Sequence, residues 1–321
     1  MSAITYRAAT LEDAELASDV MTAAYPPMAQ DPAVTRYRWQ NTPRGHSAGR
    51  FFADVEGQPA AFLGWYHAPW ERLPERHCEL DVWLDRTYLD LQRLVELWSW
   101  LGEQAIEEGA WLLVGYCCED EPEMLEALDT LGYQRERLEK AWELDLKRHG
   151  PQLTQEAAAA RDKTAEAGIR LLTVADWNDP DKIRKLFELN ERTVQDIPHS
   201  VPIVPDQFED FVNRLQAPDR RLDRLWVAVD GDRVAAMSFL KFPPLRGPIW
   251  TGYTCSHPDY RGRGIARAVK LQTLAQAVEV GLPTVVTAND SENAPMLHIN
   301  ETLGYTRRPG FVEHHKRVEI P

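Results

Sequence analysis

The stretch HPDYRGRGIARAVK, residues 257–270, sets Gly262 and Gly264 among Arg261, Arg263 and Arg267 at the start of a run with helical apolar spacing. A glycine turn that opens a helix leaves several backbone N–H groups without intrahelical partners, and the helix dipole adds partial positive charge at the same point. The glycines remove Cβ atoms from the approach, and the arginines add full charge. The chemistry this supports is binding of a phosphate or pyrophosphate. Neither the GxxxxGK[ST] order of a P-loop nor the GxGxxG of a dinucleotide site is present. Taken alone, the stretch fits equally well a glycine turn whose arginines are simply solvated.

The surrounding sequence supplies elements that would hold such a turn. GIRLLTV (168–174) reads as a strand, and DKIRKLFELNERTVQDI (181–197) as a helix with Ile183, Leu186, Phe187, Leu189 and Val194 at helical spacing. PDQFEDFVNRL is a second helix. LWVAVDGDRVAAMSFLKF reads as a hairpin turning at Asp230–Gly231. IWTGYTCSHP is a strand, Gly262 to Gly281 a long helix, PTVVTAN a strand, NAPMLHINETL a shorter helix and FVEHHKRVEI a final strand. The predicted order is β-α-α-β-β-β-α-β-α-β-β, an α/β architecture with a mostly antiparallel sheet.

The chain repeats itself. LGY occurs at 131–133 and at 303–305, and the same offset of 172 carries Tyr88 onto Tyr260, Gly109 onto Gly281 and Met124 onto Met296. This predicts two copies of one unit rather than a solenoid: residues 1–149, a helical Ala-rich linker 150–167, and residues 168–321. Charge divides them. Residues 1–149 hold 27 acidic and 14 basic side chains, residues 150–321 hold 23 and 22, and the net charge is −14. That balance argues against nonspecific nucleic-acid binding. No window reaches the roughly 18 consecutive apolar residues of a membrane span, and the N-terminus lacks a secretory layout. Cys78, Cys117, Cys118 and Cys255 have no metal-ligand spacing, so the expectation is a cytoplasmic protein with reduced thiols and no metal.

RGRGIA (Arg261–Ala266) satisfies [Q/R]-x-x-G-x-[G/A], and with its flanking elements resembles the acyl-CoA pyrophosphate loop of the GNAT superfamily of N-acetyltransferases. The resemblance covers the second half throughout and the first more weakly, a tandem arrangement similar to mycothiol synthase. It implies two tandem GNAT-like domains, each a mixed, mostly antiparallel sheet flanked by helices. It implies acetyl-CoA on Arg261, Gly262, Arg263, Gly264, Ile265 and Ala266, with its pantetheine arm along Thr254, Cys255 and Ser256. The N–H of Thr254 would polarise the thioester, and Asn289 and Asn293 would meet pantetheine or pyrophosphate. The function implied is direct acetyl transfer to a small, cationic primary amine; a noncatalytic acyl-CoA-binding protein is the alternative.

Two features depart from that family. The strand before the loop, Trp250–Thr254, carries no carboxylate base, and Asn300 stands where many relatives place a tyrosine acid. Asp196, Tyr253, His199 and His298 are the remaining candidates for proton transfer. His314 and His315 alternate on a strand read as terminal, which predicts that one of them faces outward. In the first half the loop is replaced by DRTYLDLQRL (85–94), without glycine and with Asp85 and Asp90. A domain that folds but does not bind an anion there is the expectation.

Overall fold

The computed structural model of the chain describes residues 3–318. In the first half the strands are β1 (Ile4–Ala8), β2 (Ser47–Val55), β3 (Gln58–His67), β4 (His77–Leu84), β5 (Leu112–Cys118) and β6 (Gln134–Asp145). Its helices are α1 (Ala14–Ala24), α2 (Pro32–Gln40), α3 (Leu91–Glu108) and α4 (Pro122–Thr130). A helix, α5 (Leu146–Glu166), follows. The second half has β7 (Ile169–Thr173), β8 (Leu225–Asp230), β9 (Arg233–Lys241), β10 (Trp250–Ser256), β11 (Thr284–Asp290) and β12 (Thr306–Arg317). Its helices are α6 (Lys182–Val194), α7 (Phe208–Leu215), α8 (Ile265–Glu279) and α9 (Ala294–Thr302). The predicted order is observed up to the end, where one long strand replaces the two expected. Two residues of the predicted last strand, 319 and 320, lie outside the described residues.

The offset read from scattered identities is structural. β5, α4 and β6 recur as β11, α9 and β12 at an offset of 172. The two units nevertheless share one sheet, ordered β1-β2-β3-β4-β5-β12-β6-β11-β10-β9-β8-β7. The last strand of each half lies in the other half's position: β12 pairs with β5, β6 pairs with β11, and the two pair with each other at the centre. β12 bulges between Arg308 and Phe311, where a Cβ on Gly310 would sit 2.2 Å from the carbonyl oxygen of Glu139. Only glycine permits that approach.

Alternation on the strands sorts the layers. Leu138 of β6 packs on a core with Leu94, Leu97, Trp98 and Leu101 of α3, while Trp142 and Leu144 pack with Leu153 of α5 and Leu271 and Leu274 of α8. These three are even-spaced residues of one strand, so α3, α5 and α8 cover the same face. α5 is therefore part of a core and more than a tether. On the other face α1 packs on Phe52 and Phe62, and α6 on Val227 and Val229. The centre of that second face is bare of helix and polar: Arg137, Glu139, Asp290, Glu313 and Tyr116 line up across it through paired registers. Among the described residues no helix is long and apolar enough to cross a membrane.

The two histidines fall on opposite faces, as alternation predicts, with His315 on the helix-free face and partly exposed. His314 is fully buried, and His315 on the opposite face is bonded to Glu313 at 2.6 Å. If the central pairing needs the missing Cβ, Gly310→Ala should cost roughly 1–3 kcal/mol, the usual range for forced overpacking. Urea unfolding checks this, and an unchanged midpoint would mean that the bulge relaxes freely.

Candidate active site

β10 and β11 run parallel but pair only at Trp250–Val286. The cause lies in β10, which bulges between Thr251 and Tyr253 against β9. An extra residue raises local twist and bends a strand. That residue, Gly252, has no room for a side chain: a Cβ would lie 2.0 Å from the Phe239 ring. Beyond the bulge Thr254, Cys255 and Ser256 stay registered with β9, while the gap toward β11 opens. Sequence reading had no signal for Gly252 beyond a glycine inside a strand.

The loop stands at the open end of this gap. Gly262 and Gly264 have φ of +72° and +76°, and Gly264 is the N-cap of α8 with no side-chain cap bond. A Cβ at either glycine would meet nothing within 4 Å. Glycine is therefore set by the left-handed backbone, which L side chains adopt at a cost, and the space it leaves is open to a ligand. Ile265 is buried and seats the helix start on Tyr260 and Val269; Ala266 is half-buried beside it. The helix-start N–H groups have no intrahelical acceptor. Arg261, Gly262, Arg263 and Gly264 are exposed, Arg263 lies over the Tyr260 ring, and Arg267 is tied to Glu156 of α5 at 2.5 Å.

The other candidates divide. Thr254 is buried, its hydroxyl 2.8 Å from that of Ser238. Burial pushes the Cys255 thiol up to about 12, so it is inert. Tyr253 meets the Thr193 hydroxyl at 3.0 Å, and burial raises its phenol well above the usual value. Asp196, beyond α6, forms an ion pair with Arg261 of the loop. His199 and His298 are exposed. Asn293 caps α9, accepting from the Met296 N–H at 3.4 Å.

Asn300 is fully buried and makes a chain that sequence reading missed. Lys270 Nζ donates to Asn300 Oδ1 at 2.7 Å, and Asn300 Nδ2 donates to Asn289 Oδ1 at 2.7 Å. The bonds fix both amide orientations, so Asn289 keeps its Nδ2 donor for something else. Lys270 is fully buried on α8, above the Tyr305 ring, and burial lowers its ammonium to about 7. Its position inside a helix with apolar neighbours on every side, Ala268, Val269 and Leu271, was the available signal.

In the first half the same geometry has another occupant. β4 and β5 pair over His77–Leu80 and Leu112–Gly115, and their pairing stops there. Asp90 caps α3, accepting from the Arg93 N–H at 3.1 Å, and in the turn before it Asp85 accepts from the Thr87 N–H at 2.8 Å. The Asp90 carboxylate thus takes a backbone donor at the start of α3, whereas the start of α8 has no side-chain cap. The Asp85 contact has a counterpart in the second half, where His257 accepts from the Asp259 N–H at 3.3 Å.

Residues 168–306 match the acetyltransferase (GNAT) domain family. No curated protein matches the chain. Among solved structures, the chain is similar to a tandem GNAT protein from the clavulanic acid biosynthesis pathway (17% identity, TM-score 0.77, covering 99% of this chain and 100% of that one). It is also similar to a GCN5-related N-acetyltransferase from Sphaerobacter thermophilus (17%, 0.70, 99% and 97%).

The Lys270 account has a consequence for stability. A base whose folded value is depressed holds fewer protons folded than unfolded between the two values, so stability rises with pH across about 7 to 10.5. Wild type should gain on Lys270→Met over that range by up to about 1.4 kcal/mol per pH unit, read by urea unfolding at stepped pH. Parallel curves would show that Lys270 is not held in a desolvated site.

On fold and sequence together, residues 168–306 match the GNAT acetyltransferase domain family, within a chain whose fold is that of tandem GNAT proteins.

Proposed function

We propose that the protein is an N-acetyltransferase that moves an acetyl group from acetyl-CoA to a small, cationic primary amine, with the co-substrate in the second half, 168–321. The observation that carries this is the uncapped, left-handed glycine start of α8 beside the gap between β10 and β11. The residues fit acetyl-CoA: Gly262, Gly264, Ile265 and Ala266 offer backbone donors to a pyrophosphate, with Arg261 and Arg263 adding charge. Thr254, Cys255 and Ser256 supply a strand edge for the pantetheine amides. Bound there, acetyl-CoA supplies a thioester carbonyl for attack by the neutral amine. The N–H of Thr254 is the fixed donor for the charge that develops on that oxygen. Asn289, oriented through Asn300 and Lys270, donates to the pantetheine side.

Asp196 is engaged by Arg261, and we assign it to holding the loop. With no carboxylate on β10, the ammonium loses its proton to water, so the rate should rise with pH towards the amine's own pKa. Residues 1–149 are a degenerate copy, joined through 150–167, that shapes the acceptor side, the arrangement that the likeness to mycothiol synthase implied. Its carboxylates, and those at the sheet centre, favour a cationic acceptor. The amide of Asn300 in place of a proton donor favours the second reading, an acyl-CoA-binding protein without turnover.

Thiol release from acetyl-CoA with a panel of amines separates the two. The proposal expects turnover with cationic amines that grows with pH, and a loss of about 100-fold or more in kcat/KM for a folded Gly264→Glu variant. CoA binding without thiol release from any amine would favour the second reading. Unchanged CoA affinity in folded Gly264→Glu would sink the cradle itself.

A further inference from the structure

The first half keeps a cleft that its own loop cannot supply with an anion. Where β4 and β5 part, a cavity of about 530 Å³ opens between the two faces of the sheet. Trp83, Leu84, Tyr116, Met124 and Phe311 form much of its wall. Asp81 and Glu139 enter the same space. Asp81 is exposed, and among the described residues its carboxylate has no hydrogen-bond or ion-pair partner. Burial alone raises its carboxyl to about 6. The carboxylate is thus open to solvent yet set among the walls of the cavity. Burial likewise raises Glu139, with Asp290 and Glu313 adding to it and Arg137 opposing. Glu79, on the same face of β4, is raised to about 7 by burial, with Asp81 and Glu313 adding.

Carboxylates that face one cavity repel each other, and among the residues that line it Arg86 is the one cation, set against Asp81, Asp120, Glu121, Glu123 and Glu139. Arg137 is committed to Asp290 at 2.8 Å and Glu292 at 3.1 Å. His315 is committed to Glu313 at 2.6 Å. Arg86, the one cation on the wall, donates to the Ala24 carbonyl at 3.1 Å and lies over the Tyr25 ring. The missing charge is mobile, and the walls say what kind of body would carry it. Indole, phenol and phenyl rings beside carboxylates favour an ammonium ion attached to an apolar group, through ring faces and charge together. They disfavour CoA, whose phosphates would meet Asp85 and Asp90 around the helix start.

We propose that this cavity is a binding site for an organic ammonium ion with an apolar body, held by Asp81 and Glu139 against Trp83, Tyr116 and Phe311. This goes beyond the acetyl-transfer reading and does not require it, because the ion binds in the first half whether or not the second half acylates anything.

The test uses the full chain and benzylammonium as the probe, titrated calorimetrically well above the Asp81 value, with benzyl alcohol and benzoate as its neutral and anionic counterparts. Benzylammonium should bind, with both counterparts weaker by about tenfold or more. Asp81→Asn should weaken it by a similar factor while leaving CoA binding unchanged and the unfolding midpoint no lower than that of wild type. Glu139→Gln gives the same reading should Asp81→Asn fail to fold. No saturable binding at millimolar benzylammonium, equal binding of benzyl alcohol, or unchanged affinity in both folded variants would overturn the proposal. So would displacement of benzylammonium by CoA, which would make the cavity a second coenzyme cleft.

Discussion

The antiparallel pairing of β6 with β12 decides most of what this molecule can be. Each strand leaves its own half to lie against the other's sheet, so every hydrogen bond at the centre joins the two copies. A duplicated unit could have stayed two domains on a tether; here neither half has a complete sheet without the other. The exchange also fixes direction. α3 and α8 fall on one face, α1 and α6 on the other, and the helix-free centre of that second face is left to Glu139, Asp290 and Glu313. The constraint is steric as well as hydrogen-bonded, since Gly310 must bring its backbone against the Glu139 carbonyl.

Within that shared frame the halves differ in how they treat the same backbone donors. A helix start following a strand has unpaired N–H groups in both. In the first half the Asp90 side chain satisfies one of them from within. In the second, Gly262 and Gly264 turn the chain through left-handed φ and offer no side chain at all. An internal carboxylate is always present at high effective concentration, so an external phosphate cannot compete with it for the same N–H. The difference between a binding loop and a capped turn thus comes down to a few side chains, on elements that otherwise superimpose by an offset of 172.

Much of this was legible in the sequence, and the rest failed for identifiable reasons. Element order follows from apolar spacing and turn chemistry, as at Asp230–Gly231, which turns β8 into β9. Left-handed φ at Gly262 and Gly264 follows from residue type. Strand exchange does not, because β12 has the same alternation whether it pairs with its own half or the other; this is why His314 and His315 were placed at an edge and turned out central. Asp196 could not be separated from Arg261, which lies 65 positions away. The Lys270–Asn300–Asn289 chain joins three elements whose spacing carries no common period. The cavity at the parting of β4 and β5 is likewise a property of divergence between strands, which no local pattern encodes.

We propose that one fold, written twice, has a single coenzyme site because, of the two equivalent helix starts, only that of α8 is left without a capping side chain. Calorimetric titration of the intact chain with CoA measures this directly. The account predicts saturation at one CoA per chain. Two equivalent sites would contradict it by showing that the Asp90 cap does not exclude the ligand, and the absence of any site would contradict it by showing that free N–H groups at α8 do not suffice.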